Sequence, residues 1–159
     1  MAPSRTLGST AAEALEQLMR WVSAEAYATD LTPQQWSVLR FLARAQPSLR
    51  TVKGFAGYHQ TTLGTASQTL ATLERRGLIQ RRPNPDDGRS HILELTETAQ
   101  QVMATDPLSR LVAAINDLPE AESQSFVTSL TAICLQVLPL AGTTSAAQRD
   151  KADRGLAAE

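Results

Sequence analysis

Cysteine is almost absent from this chain of 159 residues, which contains only Cys134. A single cysteine excludes an intramolecular disulfide and makes a zinc site built on cysteine ligands implausible. His59 and His91 have neither a cysteine nor clustered carboxylates beside them at metal-ligand spacing. We therefore predict no metal and no other cofactor, and we expect Cys134 to be a buried, inert thiol.

Long apolar runs are also missing. None approaches the roughly 20 residues of a membrane-spanning helix, and the N-terminus has no apolar segment of the signal-peptide type. We therefore expect a cytoplasmic protein with no membrane partner. The sequence also lacks a phosphate-binding glycine loop, paired catalytic carboxylates and a nucleophile elbow, so we predict no catalytic residue and no enzyme.

Charge is balanced in total but not along the chain, which has 15 Lys and Arg against 16 Asp and Glu. Residues 1–39 carry a net charge of −2 and residues 92–159 carry −5. Residues 40–91 hold nine basic and three acidic side chains, a net charge of +6. Such a middle third is typical of a region that faces a polyanion, although a solvated basic face without a partner gives the same pattern.

Hydrophobic periodicity and capping residues predict a mainly helical chain with one hairpin. In chain order, the predicted elements are helices over residues 9–28, 32–45, 51–58 and 62–76, strands over 78–82 and 91–95, and helices over 96–117 and from 119 onward. Thr10 and Glu13 are expected to form the capping box of the first helix. Thr32 as N-cap, followed by Pro33 and Gln35, marks the start of the second.

Other signals refine these elements. The buried face of the second helix is predicted to consist of Trp36, Leu39, Leu42 and Ala43. Gly77 is expected to end the fourth helix, and Asp106-Pro107 to break the fifth. Residues 141–159 have no periodicity, which predicts a disordered tail.

The helix over residues 62–76 divides into two faces. Its apolar face is expected to anchor it to the core through Leu63, Ala66, Leu70 and Leu73, whereas its polar face carries Thr61, Gly64, Thr65, Gln68, Thr72 and Arg75. Small residues allow close approach to DNA, a Gln amide can bond adenine bidentately, and Thr methyls can contact thymine methyls. Thr62 at the helix N-terminus favours a phosphate. An ordinary solvated face is the alternative, but such faces usually carry Glu and Lys, and Glu74 is the only acid here.

The hairpin tip carries the second nucleic-acid signal. Arg89 follows Asp87-Gly88 and is flanked in the strands by Arg81 and Arg82. An extended arginine can enter a narrow minor groove, where negative potential is concentrated. Asp87 is predicted to hold this arginine through a charge-assisted hydrogen bond. A generic charged turn explains the loop, taken alone, equally well.

Several segments together make the chain resemble the multiple-antibiotic-resistance regulator (MarR) family, although each alone is a weak signal. They are, in order, Leu31 to Leu39, Thr65 to Leu70, Leu73 to Ile79, Asp86 to Ser90, and Leu95-Thr96. The resemblance covers about residues 31–100. The segment Lys53 to Tyr58 departs from the family's pattern, and Ala99 stands where the family often has glycine.

The resemblance implies a mainly α fold with a small β wing, a winged helix-turn-helix with N- and C-terminal dimerisation helices. Residues 31–96 would form the DNA-binding lobe, and residues 1–30 and 97–140 the dimerisation helices of a homodimer. Apolar stripes on the terminal helices favour dimerisation independently. Such a dimer would bind double-stranded DNA at a pseudo-palindromic operator with half-sites about 34 Å apart.

Within this frame each candidate residue has an expected role. Bases would be read by Thr61, Gly64, Thr65, Gln68 and Thr72; phosphates would be held by Thr62, Ser67, Arg75 and Arg76. Arg89, with Asp87, would occupy the minor groove. By resemblance, Trp21, Tyr27 and Trp36 would line a pocket for a small aromatic or lipophilic effector, although core packing is the alternative for each.

The sequence therefore predicts a sequence-specific transcription regulator, most simply a repressor. The alternative is a winged helix used for protein contact without DNA binding.

Overall fold

The computed structural model describes residues 6–138. Its elements are α1 (Leu7–Ala28), α2 (Pro33–Arg44), a short 3₁₀ turn (Pro47–Leu49), α3 (Val52–Tyr58), α4 (Leu63–Arg75), β1 (Ile79–Pro83), β2 (His91–Leu95), α5 (Glu97–Met103), α6 (Leu108–Asn116) and α7 (Glu120–Val137). The predicted order of helices and strands is confirmed. The predicted tail, residues 141–159, and the last two residues of the predicted dimerisation segment lie outside the described residues. No helix within residues 6–138 is both long and apolar enough to cross a bilayer.

Threonine hydroxyls begin most of these helices by accepting a hydrogen bond from the backbone N–H three residues on. The N-caps of this kind are Thr6, Thr32, Thr51, Thr62 and Thr96. The predicted capping box of Thr10 and Glu13 is wrong. The helix begins at Leu7, two residues before the predicted start, and its N-cap Thr6 forms the capping box with Ser9. The hydroxyl of Ser9 does what a longer Glu or Gln usually does at that position.

The turn from α4 into the hairpin is closed by its backbone. Gly77 has a φ of +68°, and its N–H donates to the carbonyl oxygen of Glu74 at 2.9 Å. The Leu78 N–H donates to the carbonyl oxygen of Leu73 at 3.0 Å, which completes a Schellman motif. The antiparallel strands then pair from Ile79 with Leu95 to Pro83 with His91.

The core lies almost wholly between Ala26 and Ala99 and is built around the aromatic rings of Trp36 and Phe55, both fully buried. Two predicted core residues are exposed. Leu63 is 57% exposed because the first turn of α4 extends beyond the core. Ala43 is exposed because it borders an open polar cavity lined also by Arg50, Glu94 and Gln100.

Two hydrogen bonds to backbone carbonyl oxygens fix the hairpin in place. The Leu93 N–H donates to the carbonyl oxygen of Arg50 at 2.7 Å, so the segment after the 3₁₀ turn bonds to β2. The Thr96 hydroxyl donates to the carbonyl oxygen of Gly77 at 2.7 Å, while its oxygen also caps α5. The first bond ties the middle of β2 to the segment before α3, and the second closes the base of the hairpin between Gly77 and Thr96.

The outer helices leave much of their apolar surface uncovered. Neither α6 nor α7 buries a residue within the described chain. An apolar groove of about 360 Å³ runs between α1 and α7 and is lined by Ala11, Ala14, Leu15, Leu18, Phe126, Ser129, Leu130 and Ile133. Nearby on α7, Leu135 and Val137 are 68% and 69% exposed.

The predicted break in the fifth helix is confirmed and separates α5 from α6. Asp106, in the break, is 12% exposed at its side chain and pairs with Arg40 of α2. Burial raises the pKa of the Asp106 carboxyl, but hydrogen bonds from Arg40 and the Leu108 N–H, with the charges of Arg40 and Arg44, outweigh it. The net pKa lies below the ordinary value of 3.8.

Two glycines of α3 should respond in opposite ways to alanine. A Cβ on Gly54 would overlap the backbone carbonyl oxygen of Leu49, whereas a Cβ on Gly57 has no neighbour within 4 Å. Gly54→Ala should lower the free energy of unfolding by about 1–3 kcal/mol through overpacking. Gly57→Ala should raise it by about 0.5–1 kcal/mol through helix propensity. Urea unfolding of both variants measures this, and equal effects would contradict the close approach at Gly54.

Removing the charge of Asp106 should destabilise the protein in a pH-dependent way. At pH 7 Asp106→Asn should lower the free energy of unfolding by about 1–3 kcal/mol, because charged hydrogen bonds are lost. A pKa depressed by folding contributes stability above the unfolded pKa of about 3.9 and loses it as the pH falls through the native pKa. The gap between wild type and variant should therefore close below about pH 4. Asp30→Asn, at a side chain 93% exposed, is the control and should show almost no gap at any pH. A gap that stays constant down to pH 2 would refute this role.

Candidate nucleic-acid interface

The exposed face of α4 is defined by what its other face buries. Ala66, Leu70 and Leu73 are fully buried at helical spacing. The side opposite them carries the exposed residues Gly64, Thr65, Gln68 and Arg75, with Thr72 half-buried and Thr61 half-buried before the helix begins. The structure thus brings the predicted base-reading residues onto one surface of one helix.

Hydroxyl groups on this face are already satisfied within the helix. The Thr72 hydroxyl donates to the carbonyl oxygen of Gln68 at 3.0 Å, and the hydroxyls of Thr62 and Thr65 lie 2.9 Å apart. No hydrogen bond to the Gln68 amide occurs within residues 6–138, so this amide keeps its donor and acceptor for a base edge.

Two neighbouring arginines at the end of α4 differ in their surroundings. The guanidinium of Arg75 donates to the Thr72 hydroxyl at 3.2 Å and so lies over the exposed face. Arg76 instead donates to the carbonyl oxygen of Asp30 at 2.7 Å and to its carboxylate at 3.0 Å. Asp30 lies in the α1–α2 turn with a φ of +63°, so Arg76 connects α4 to that turn. Only Arg75 is placed on the surface shared with Gln68.

At the hairpin tip the backbone is organised by two side chains. The Asp87 carboxylate accepts the Arg89 N–H at 3.0 Å, and the Asn84 side-chain oxygen accepts the Asp86 N–H at 3.0 Å. The sequence predicted that Asp87 holds the Arg89 guanidinium. In the structure it holds the Arg89 backbone instead. The Arg89 side chain is exposed and forms no ion pair within the described part of the chain.

Four of the nine basic side chains in residues 40–91 pair with a carboxylate of the chain, namely Arg40, Arg76, Arg81 and Arg82. Arg81 pairs with Glu74 at 2.9 Å, which ties β1 to α4, and Arg82 pairs with Glu94 across the hairpin at 2.7 Å. The exposed basic residues without a carboxylate partner among residues 6–138 are Arg44, Lys53, Arg75 and Arg89. Sequence counting therefore overstated the positive charge that the lobe presents to a polyanion.

Lys53 and Tyr58 of α3 were not selected from the sequence. Tyr58 is 60% exposed, and its ring centroid lies 5.1 Å from that of buried Phe41. His59 is exposed and lies 5.3 Å from the ring of buried Phe55. The only sequence signal for them was their position before α4.

The three residues predicted to line an effector pocket lie in different surroundings. Trp36 is fully buried and its indole N–H donates to the Thr29 hydroxyl at 2.8 Å, so it is a core residue. Tyr27 is 64% exposed, and Trp21 is half-buried beneath the guanidinium of Arg110, 5.1 Å from the ring centroid. None of the three lines the apolar groove between α1 and α7.

Possible metal ligands are dispersed. No group of three or more His, Cys, Asp or Glu side chains comes together in the part of the chain between residues 6 and 138. Cys134 is a half-buried free thiol, less buried than expected.

A helix-turn-helix whose second helix exposes a small, polar face, followed by a two-stranded hairpin, defines a winged helix-turn-helix protein. Comparison with known proteins agrees. Residues 29–90 match the sequence model of the MarR family. A segment of 59 residues is 39% identical to an uncharacterized HTH-type transcriptional regulator, YdcH of Bacillus subtilis (strain 168). That segment is 36% of this chain and 40% of YdcH, so the match spans less than half of the relative's length.

Solved structures share the fold over nearly the whole described chain. The S. aureus MepR–DNA complex superposes with a TM-score of 0.66 at 20% identity, covering 86% of this chain and 99% of that chain. CouR from Rhodococcus jostii RHA1, bound to p-coumaroyl-CoA, superposes with a TM-score of 0.64 at 21% identity, covering 87% and 99%. The sequence match to the MarR family lies on the helix-turn-helix and the first part of the wing.

Proposed function

We propose that this chain is a sequence-specific regulator of transcription that binds double-stranded DNA through α4 and the hairpin. The observation that carries the proposal is the exposed face of α4, where the Gln68 amide is free and the threonine hydroxyls are satisfied internally. The family match and the fold shared with a DNA-bound MepR support it. A face of this kind fits the major groove, in which side-chain amides and methyl groups discriminate bases.

The residue roles follow from this placement. Bases are read by Thr61, Gly64, Thr65, Gln68 and Thr72, and phosphates are held by Thr62, Ser67 and Arg75. Arg76 joins the phosphate contacts only by releasing Asp30, so we assign it the smaller share. Arg89, on a tip shaped by Asp87, enters the minor groove.

The outer helices carry the surface through which we propose that two copies of the chain bind each other. The groove between α1 and α7 is lined by apolar side chains, and leucine and valine side chains of α7 near it are more than half exposed within residues 6–138. We propose that they pair in a homodimer, which would present two α4 helices to half-sites about 34 Å apart. A dimer of this geometry acts most simply as a repressor by occupying promoter DNA.

We also propose that a small aromatic or lipophilic effector regulates DNA binding. CouR carries p-coumaroyl-CoA, an aromatic acyl thioester, on the same fold. In this chain Trp21, with Arg110 over its ring, offers an aromatic and cationic surface near the end of α1. Tyr27 is also accessible, whereas Trp36 is closed by the core. An effector would release DNA only by binding better to the conformation that does not bind DNA.

The alternative is a winged helix that contacts another protein and has no DNA affinity. Internal neutralisation of Arg81 and Arg82 weakens the charge argument against it. The exposed Arg75 and Arg89 side chains on the proposed DNA face still favour a polyanion.

Binding to upstream DNA of the chain's own gene, titrated against salt with random DNA as control, tests the function. We expect two chains per site, specific binding and a steep loss of affinity with salt, because phosphate contacts release counterions. Arg89→Ala should weaken specific binding by about 1–3 kcal/mol. Arg20→Ala, a change of equal charge at an exposed pair on α1, is the control and should have little effect. Equal, weak binding of both DNAs, even after selection from a random library, would favour the protein-contact alternative.

Gln68 should determine base preference rather than overall charge attraction. Gln68→Ala should relax selection at one position in each half-site by about 1–3 kcal/mol and leave the salt dependence unchanged. Selection from a randomised half-site library measures the preference at every position. Gln124→Ala, at an exposed glutamine of α7, is the control. A variant profile identical to that of wild type would remove Gln68 from the reading surface.

A further inference from the structure

A set of polar contacts joins the outer helices to the lobe at one place, which we name the junction: Thr29, Trp36, Arg40 and Asp106. Thr29 caps the end of α1, and its hydroxyl donates to the carbonyl oxygen of Ala26 at 2.6 Å. The Thr29 hydroxyl oxygen also accepts the indole N–H of Trp36 at 2.8 Å. The end of α1 is therefore bonded to a side chain at the centre of the lobe.

Arg40 continues the junction one turn further along α2. Its guanidinium carbon lies 5.6 Å from the centroid of the Trp36 ring. Its Nε and Nη2 atoms donate to the two carboxylate oxygens of Asp106 at 2.8 and 2.6 Å. Both side chains are nearly buried, 13% and 12% exposed. A buried, two-pronged pair of planar groups restricts rotation as well as distance.

Asp106 in turn fixes the start of α6. Its carboxylate also accepts the Leu108 N–H at 2.9 Å, and its carbonyl oxygen accepts the Ser109 N–H at 2.9 Å. One carboxylate thus binds α2 of the lobe and the first turn of an outer helix. The junction therefore holds both the passage from α1 into the lobe, residues 29–32, and the break between α5 and α6, residues 104–107.

From this geometry we propose that Arg40 and Asp106 are positioning residues that fix the orientation of the lobe on the outer helices and thereby select the spacing between half-sites. The inference rests on the proposed function and adds which residues set its geometry. Each added base pair moves a half-site by about 3.4 Å and rotates it by roughly one tenth of a turn. A rigid junction cannot follow that shift, whereas a loosened one can.

The DNA test uses one selected half-site repeated at centre-to-centre spacings from about 8 to 12 base pairs. Wild type should lose about tenfold or more in affinity on moving one base pair from its best spacing, as for a mismatch. Asp106→Asn and Arg40→Lys should flatten this profile to within about threefold while affinity for a single half-site stays unchanged. A merely stabilising role would lower the unfolding temperature and leave the profile as in wild type, which would overturn the inference. Arg20→Gln, which removes an exposed arginine–glutamate pair within α1, is the matched control and should keep the wild-type profile.

A second measurement needs no DNA. Spin labels at Ser67→Cys in a Cys134→Ser background report the distance between the two α4 helices of a dimer by pulsed electron resonance. Arg40→Lys keeps the charge and is the variant expected to stay folded if Asp106→Asn does not. A narrow distribution in wild type that broadens in Arg40→Lys supports the junction, even if no DNA sequence is bound and the proposed function fails. Identical distributions in wild type and variant would overturn the inference with the proposed function left standing.

Discussion

The burial of one face of α4 is the constraint on which the rest of the molecule depends. Three apolar side chains, Ala66, Leu70 and Leu73, fix the rotation of this helix about its axis, because turning it would expose all three together. The polar face opposite them is then exposed to solvent, and no further contact is needed to orient it. The Schellman motif that follows directs the chain into the hairpin at a defined angle, so the wing inherits its position from the same packing. The exposed polar face of α4 and the position of the hairpin are both consequences of one apolar stripe.

Local signals made much of this predictable. Thr32 with Gln35 and Thr62 before α4 mark helix starts because an N-cap and its partner are only three residues apart. Gly77 was predictable because a left-handed residue at a helix end strongly favours glycine. The exposed polar face of α4 followed from helical periodicity alone. Leu63 was misplaced because periodicity reports the direction of a side chain and not whether the core extends that far.

Contacts between distant segments could not be predicted in this way. Arg40 meets Asp106 across 66 residues and Arg76 meets Asp30 across 46. In sequence, Arg76 is indistinguishable from Arg75, yet one guanidinium binds the α1–α2 turn and the other lies over the exposed face. Charge counting fails for the same reason, since it cannot tell a cation already neutralised by a neighbour from one that is free. The sequence thus predicted which elements form the site better than which side chains of those elements are available.

The hydrogen bond from the Leu93 N–H to Arg50 has a consequence for solubility. A two-stranded sheet has two open edges, and open edges recruit strands from other molecules. On the β2 side, the chain that follows the 3₁₀ turn occupies part of one edge. On the β1 side, Pro83 lacks the backbone N–H that an added strand would need. Both edges of the hairpin are thereby partly closed to the addition of a strand from a second wing.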